Sequence, residues 1–302
     1  MFLRRAIFLF LPLFATAGHG EGLRVVSDIA PVHALVAQVM GDTGAPALLL
    51  PGDADAHSFQ MRPSQARMLS QADLVVWVGP ALTPWMERAL GGLSDDSHLL
   101  TLLKVEETHL RTAGTHGEGD EGDDHGHGHM GVDPHAWLSP DNGALWLGAI
   151  ARALALRDPN NAAAYFENAT AAQDALAQTT RAITARLLPA RGRPLVTYHD
   201  AYGYFTDTFG LTLTDAILET DAAPPGAAHL ADLRALARDG QIACVFGESG
   251  QDTGLVQMLA EGSPVKTGML DPVGKDIPPG PGLYTTVLEN LASEIAACAA
   301  GS

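Results

Sequence analysis

The chain has 302 residues, 46% hydrophobic and 18% charged, a globular composition long enough for two domains. Its formal net charge of −17 argues against nucleic acid and anionic lipid as partners, and it attracts cations. The two cysteines, Cys244 and Cys298, most simply form one disulfide in an oxidising compartment, which closes a loop of about 50 residues and contributes roughly 3–4 kcal/mol. A thiol metal site suits them less well, because Cys244 sits in an apolar run and Cys298 near the C-terminus.

The first stretch, "MFLRRAIFLFLPLFATAG", sets Arg4 and Arg5 before an apolar run that ends at Ala15-Thr16-Ala17. A basic region, an apolar region and a small-residue cleavage site predict a secretory signal peptide over residues 1–17. The run is shorter than the ~20 residues a membrane span needs. No Cys lies near the cut, so lipidation is not expected.

Short apolar runs then alternate with amphipathic stretches. "LRVVSDI" predicts a strand, followed by a helix from Pro31 to about Met40. "APALLL", "DLVVWVG" and "HLLTLL" predict further strands, with helices at "RPSQARMLSQA" and near "TPWMERAL". A helix over Pro140–Leu156 precedes a long one over Asn161–Leu187, where Tyr165, Ala169, Ala172, Leu176, Thr179, Ile183 and Leu187 form one stripe. The alternation then repeats. Strands "PLVTY", "LTLTDAI", "QIACVFG" and "PVKTGML" are interleaved with helices, and a last helix covers about Thr285–Ala299. Continuous apolar strands alternating with helices predict an α/β fold of two lobes, each a mainly parallel sheet flanked by helices. The expected division is residues 18–158 for the first lobe, 159–190 for a linking backbone helix and 191–302 for the second lobe.

Within the first lobe, residues 113–130 include "EGDEGDDHGHGHM", which cannot build a core. Elsewhere, polar residues fall at predicted strand ends. His57 follows "PALLLP", His199 follows "PLVTY", Glu248 follows "ACVFG" and Asp271 follows "PVKTGML"; His135 lies in "DPHAWLSP". Ligands in open α/β sheets sit beyond the carboxyl ends of strands. Imidazoles with a carboxylate there suit a borderline ion such as Zn²⁺. A lone histidine is more often a surface or core residue, and Asp271 before Pro272 has the makings of a turn residue.

The segments "LLLPGDADAHSFQMRPSQ", "VDPHAWLSPDNG", "VTYHDAYGYF", "ACVFGES" and "GMLDPVG" resemble, in order, the motifs of metal-binding solute-binding proteins of ABC importers. The zinc-uptake branch is the nearest likeness. The resemblance spans the chain from "LRVVSDI" to Cys298. It implies an ion held between two lobes by His57, His135, His199 and Asp271, with Glu248 in a supporting position. It also implies a periplasmic location and a Cys244–Cys298 disulfide. Manganese- and iron-binding relatives tend to carry Glu where this chain has His199, which favours zinc. Ala56 stands where some zinc-binding relatives have Glu, and that puts Asp271 or water at the fourth position. A His- and acid-rich loop is also typical of this branch, so His116, His125, His127 and His129, with Asp120, Asp123 and Asp124, are expected to act as an auxiliary chelator.

The expected function is therefore that of a non-enzymatic, monomeric carrier that captures Zn²⁺ and delivers it to a membrane permease driven by a cytoplasmic ATPase. Because the imidazoles must be deprotonated, affinity should fall as pH drops below ~6.5. A zinc hydrolase would also use three histidines and an open position, but no HExxH motif is present. A carrier of manganese, iron or nickel is the nearer alternative.

Overall fold

The computed structural model describes residues 22–52, 54–91, 98–114, 131–218 and 224–300. Among them, two four-stranded sheets share one topology. The first contains β1 (Val25–Ser27), β2 (Ala47–Leu48), β3 (Leu74–Trp77) and β4 (Leu99–Thr101), in spatial order β2-β1-β3-β4. The second contains β5 (Pro194–His199), β6 (Thr212–Leu218), β7 (Cys244–Glu248) and β8 (Lys266–Leu270), in order β6-β5-β7-β8. All pairings are parallel.

Side-chain alternation explains how the layers stack. Val25, Leu74 and Val76 point into a central core, while Val26, Val75 and Trp77 point outward. There they pack under α2 (Pro63–Ser70) and α3 (Pro84–Leu90), through Leu69, Met86 and Leu90. The second sheet repeats this: Leu195, Cys244 and Phe246 face the centre, and Val196 and Val245 face outward. The outer pair packs under α7 (Ala227–Arg238) and α8 (Gly254–Ala260). Strands buried on both faces need continuous apolar runs, which is what "LVVW" and "CVF" supply.

Between the sheets lie α1 (Ala30–Met40), α4 (Pro140–Arg157), α6 (Gly203–Phe209) and α9 (Leu283–Ala300), in one apolar cluster that takes residues from both halves. Helix α5 (Ala162–Leu187) runs 26 residues, about 39 Å at 1.5 Å per residue. It buries Tyr165, Ala169, Leu176, Ile183 and Leu187 against α1, α4 and α9, with Ala172 and Thr179 half-buried in the same stripe. The stripe read from the sequence is thus the contact seam, and the helix spans elements of both halves. Cys244 at the start of β7 and Cys298 in the last turn of α9 are disulfide-bonded.

Two strands are shorter than their apolar runs. After Leu48, the amides of Leu49 and Leu50 still donate to Ser27 and Asp28, but β1 then turns into α1 and the ladder ends. After Thr101 the chain winds into a single 3₁₀ turn at Leu102–Lys104.

Candidate metal centre

The carboxyl ends of β5, β7 and β8 lie side by side, and each brings a functional group. His199 is the last residue of β5, Glu248 the last of β7, and Asp271 follows β8. The strand order reverses between β5 and β7, the crevice where open parallel sheets hold ligands. His199 Nδ1 lies 2.5 Å from Glu248 Oε2, and the Tyr202 hydroxyl donates to the same oxygen at 3.1 Å. Burial, and then the Glu248 charge, push the Tyr202 phenol well above its ordinary pKa. It therefore remains a donor that helps hold Glu248 in place.

His135 is braced in the same manner by a different element. Asp133 Oδ1 accepts from the His135 backbone N–H at 2.9 Å and from Nδ1 at 2.8 Å. Both residues are 3% exposed. The 3₁₀ turn Ala136–Leu138 follows at once, and its Trp137 indole donates to the carbonyl of Pro272 in the Asp271 loop at 2.8 Å. Tyr284 of α9 donates to the Trp137 carbonyl at 2.8 Å. The His135 segment is thus bolted to the second half of the chain.

A carboxylate only accepts, so both Nδ1 atoms carry hydrogen, and in the neutral ring each Nε2 then presents a lone pair. The two Nε2 atoms lie 3.4 Å apart. Two lone pairs at that distance repel, and a cation between them relieves the repulsion. Two nitrogens on a tetrahedral Zn²⁺ at ~2.05 Å would be ~3.3 Å apart, so this pair fits the ion. The carboxylate–imidazole–metal arrangement also raises ligand basicity and fixes ring orientation.

His57 differs. It is half-buried on the loop after β2, with its backbone N–H on Asp55 Oδ1 at 2.9 Å. The Trp85 indole anchors that loop by donating to the Ala56 carbonyl at 2.7 Å. Burial raises the Asp55 pKa, but hydrogen bonds from Ser58 and from His57 outweigh it, and the net shift is downward. The His57 ring centroid is 5.6 Å from that of His135. Among the described residues no group of three or more His, Cys, Asp or Glu side chains is already gathered to hold a metal ion.

His57, His135, His199, Glu248 and Asp271 all line one cavity of about 160 Å³, walled by Ile29, Leu82 and Trp137. The Asp271 carboxylate is already engaged, since Oδ1 accepts from the amides of Val273 and Gly274 and Oδ2 from that of Lys275. It organises its loop as the turn reading expected, and its remaining lone pairs are what it could offer an ion.

Sequence reasoning missed Asp133, although it lies two residues before His135 in the quoted "DPH". It also missed Tyr202, three residues after the end of β5 in "HDAY". The expected auxiliary ligands His116, His125, His127, His129, Asp120, Asp123 and Asp124 lie outside the described residues. Around them, Ala113 N–H donates to Gly131 and Asp133 N–H to Arg111, so the flanks pair as an antiparallel stem.

Residues 25–298 match the model of the family described as periplasmic zinc-uptake complex component A. The chain belongs to that family. The high-affinity zinc uptake system protein ZnuA of Paracoccus denitrificans is 43% identical over 94% of this chain and 94% of its own length. Its counterpart in Brucella abortus is 31% identical over 93% of this chain and 92% of its own. Among solved structures, the Mn²⁺ complex of the solute-binding protein FpvC from Pseudomonas aeruginosa superposes with a TM-score of 0.79 at 22% identity, covering 93% of this chain and 99% of that one. The zinc-uptake family is one of periplasmic transport components rather than enzymes, and the two-sheet architecture expected from the sequence is its fold.

Proposed function

We propose that His57, His135 and His199 hold Zn²⁺ in the cleft between the two halves, with Asp271 completing the site. The protein is the zinc-binding component of an ABC uptake system, so its partners are a membrane permease and the ATPase that drives it. The observation that carries the site assignment is the pair of Nε2 atoms 3.4 Å apart, each ring held at Nδ1 by a carboxylate. Glu248 and Asp133 act through the imidazoles rather than on the ion. Residues 18–158 and 191–302 serve as the two lobes, and 159–190, which contains α5, serves as the strut between them. Because one apolar cluster crosses between the halves, release proceeds by movement of ligand-bearing loops more than by wide opening.

The chain works as a monomer exported by cleavage of residues 1–17, without lipid. No helix among the described residues is long and apolar enough to cross a membrane. The acidic, histidine-rich stretch within 113–130 serves as a weaker auxiliary chelator that raises the local zinc concentration.

Zinc stoichiometry and affinity by competition with a calibrated chelator test this reading. The intact chain should bind one tight ion and additional weak ones. His199→Ala should lose only the tight ion, and deletion of residues 115–129 only the weak ones. Tight binding that survives His199→Ala would place the site elsewhere.

A further inference from the structure

Arg111 lies at the first flank of the stem, facing the second half of the chain. Its side chain is 15% exposed, its Nη1 pairs with Asp207 of α6, and its Cζ lies 5.8 Å from the Tyr204 ring centroid. Its Nε is buried without a hydrogen-bond partner and is 3.8 Å from Asp133 Oδ2. Asp133 is the residue whose other oxygen grips both the ring and the backbone of His135. The backbone joins the same circuit. The Arg111 amide donates to the Tyr204 hydroxyl at 2.8 Å, and that hydroxyl donates to the Asp133 carbonyl at 2.9 Å.

We infer that Arg111 is a positioning residue for zinc, acting through Asp133 on His135. The inference rests on the assignment of His135 as a ligand. A carboxylate that is 3% exposed calls for a positive charge close to it. The guanidinium supplies that charge from the side opposite the imidazole. Asp133 is thereby held between two partners, with Oδ1 toward His135 and Oδ2 toward Arg111. Because Arg111 also pairs with Asp207, the orientation of a ligand ring depends on contact between the stem and α6. The unsatisfied Nε gives the circuit a direction. Metal on Nε2 of His135 makes its Nδ1–H a stronger donor, which draws Asp133 into firmer register, and the orphaned guanidinium N–H gains from following it into hydrogen-bond range.

Gly203 provides a second way to move the same group. A Cβ at that position would lie 2.5 Å from Arg111 Nε, so Gly203→Ala displaces the guanidinium while leaving its charge and every ligand in the chain.

The test is zinc affinity by chelator competition on the full chain, with the melting temperature of each metal-free variant as a folding control. Arg111→Met should weaken zinc roughly tenfold, the low end for a group that supports a ligand from behind. Gly203→Ala should weaken it in the same direction. In an Asp133→Asn background, Arg111→Met should add less than a twofold further loss, because the residue through which it acts is already disabled. A purely structural contribution would lower affinity equally in both backgrounds, and that result overturns the inference. So does an Arg111→Met protein within twofold of the parent. His135→Ala separates the two levels: if it leaves tight binding intact, the ligand assignment has failed, whereas if it abolishes binding while Arg111→Met does nothing, only the role of Arg111 has failed.

Discussion

The two buried histidines of the candidate site and the loop-borne one are held by different means. His135 and His199 are 3% and 8% exposed, each clamped at Nδ1 by a carboxylate, one beside a 3₁₀ turn and one at the end of a central strand. His57 sits half-buried on a loop tied down mainly by its own Asp55 and by the Trp85 indole. A site made wholly of clamped ligands would bind tightly and exchange slowly, and one made wholly of loop ligands would pay the full ordering entropy on each capture. In the proposed site, two fixed imidazoles would set the ion's position and the third would govern its entry and exit.

The largest effect should separate these two classes directly. His199→Ala is expected to weaken zinc by ~10³-fold or more, since a structural zinc site draws ~10–16 kcal/mol from its few ligands together. His57→Ala should cost roughly tenfold to a hundredfold and speed zinc release in stopped-flow chelator exchange; equal losses in the two variants would erase the distinction. Glu248→Gln should cost ~10–100-fold in affinity by removing the charge behind His199 while leaving its size. Trp85→Phe loosens only the loop anchor. It should raise the release rate by about fivefold, the value of one hydrogen bond near 1 kcal/mol, and leave the His199 side untouched.

The last prediction contrasts the two sheets in stability rather than in zinc binding. Asp28 directly follows β1 and His199 ends β5, each strand being central in its sheet. Asp28 is fully buried and clamps its own crossover, with Oδ1 on the Ile29 amide and Oδ2 on the Val78 amide, both at 2.8 Å. Burial pushes its pKa up to about 7 against those hydrogen bonds. The unfolded chain therefore releases this proton near pH ~4 while the folded chain keeps it to about 7, so stability falls as pH rises through that window, by at most ~1.4 kcal/mol per pH unit. Urea midpoints measured across the window should show this slope, and Asp28→Asn should flatten it.

Much of this was legible in the sequence. Strand and helix positions followed from apolar periodicity, because strands buried on both faces leave a continuous run that few alternatives produce. The seam of α5 was readable for the same reason: Tyr165 to Leu187 repeats at helical spacing along most of the 26-residue helix. His199, Glu248 and Asp271 were findable because strand ends are identifiable and parallel neighbours put those ends together. What remained hidden depends on packing across long separations. Arg111 and Asp207 are 96 residues apart, and nothing local to either points to the other. The engagement of Asp271 by three backbone amides was equally invisible, since it depends on the turn that the carboxylate itself creates.

The last helix carries a consequence for how the molecule is made. Leu283, Tyr284, Val287, Leu288, Leu291 and Ile295 of α9 complete the same apolar cluster that α1 and α4 enter, and Cys298 closes onto Cys244. The N-terminal half therefore cannot finish burying its inner surface until the final residues of the chain have emerged. An elongating polypeptide therefore keeps part of its apolar surface uncovered until its last helix is made.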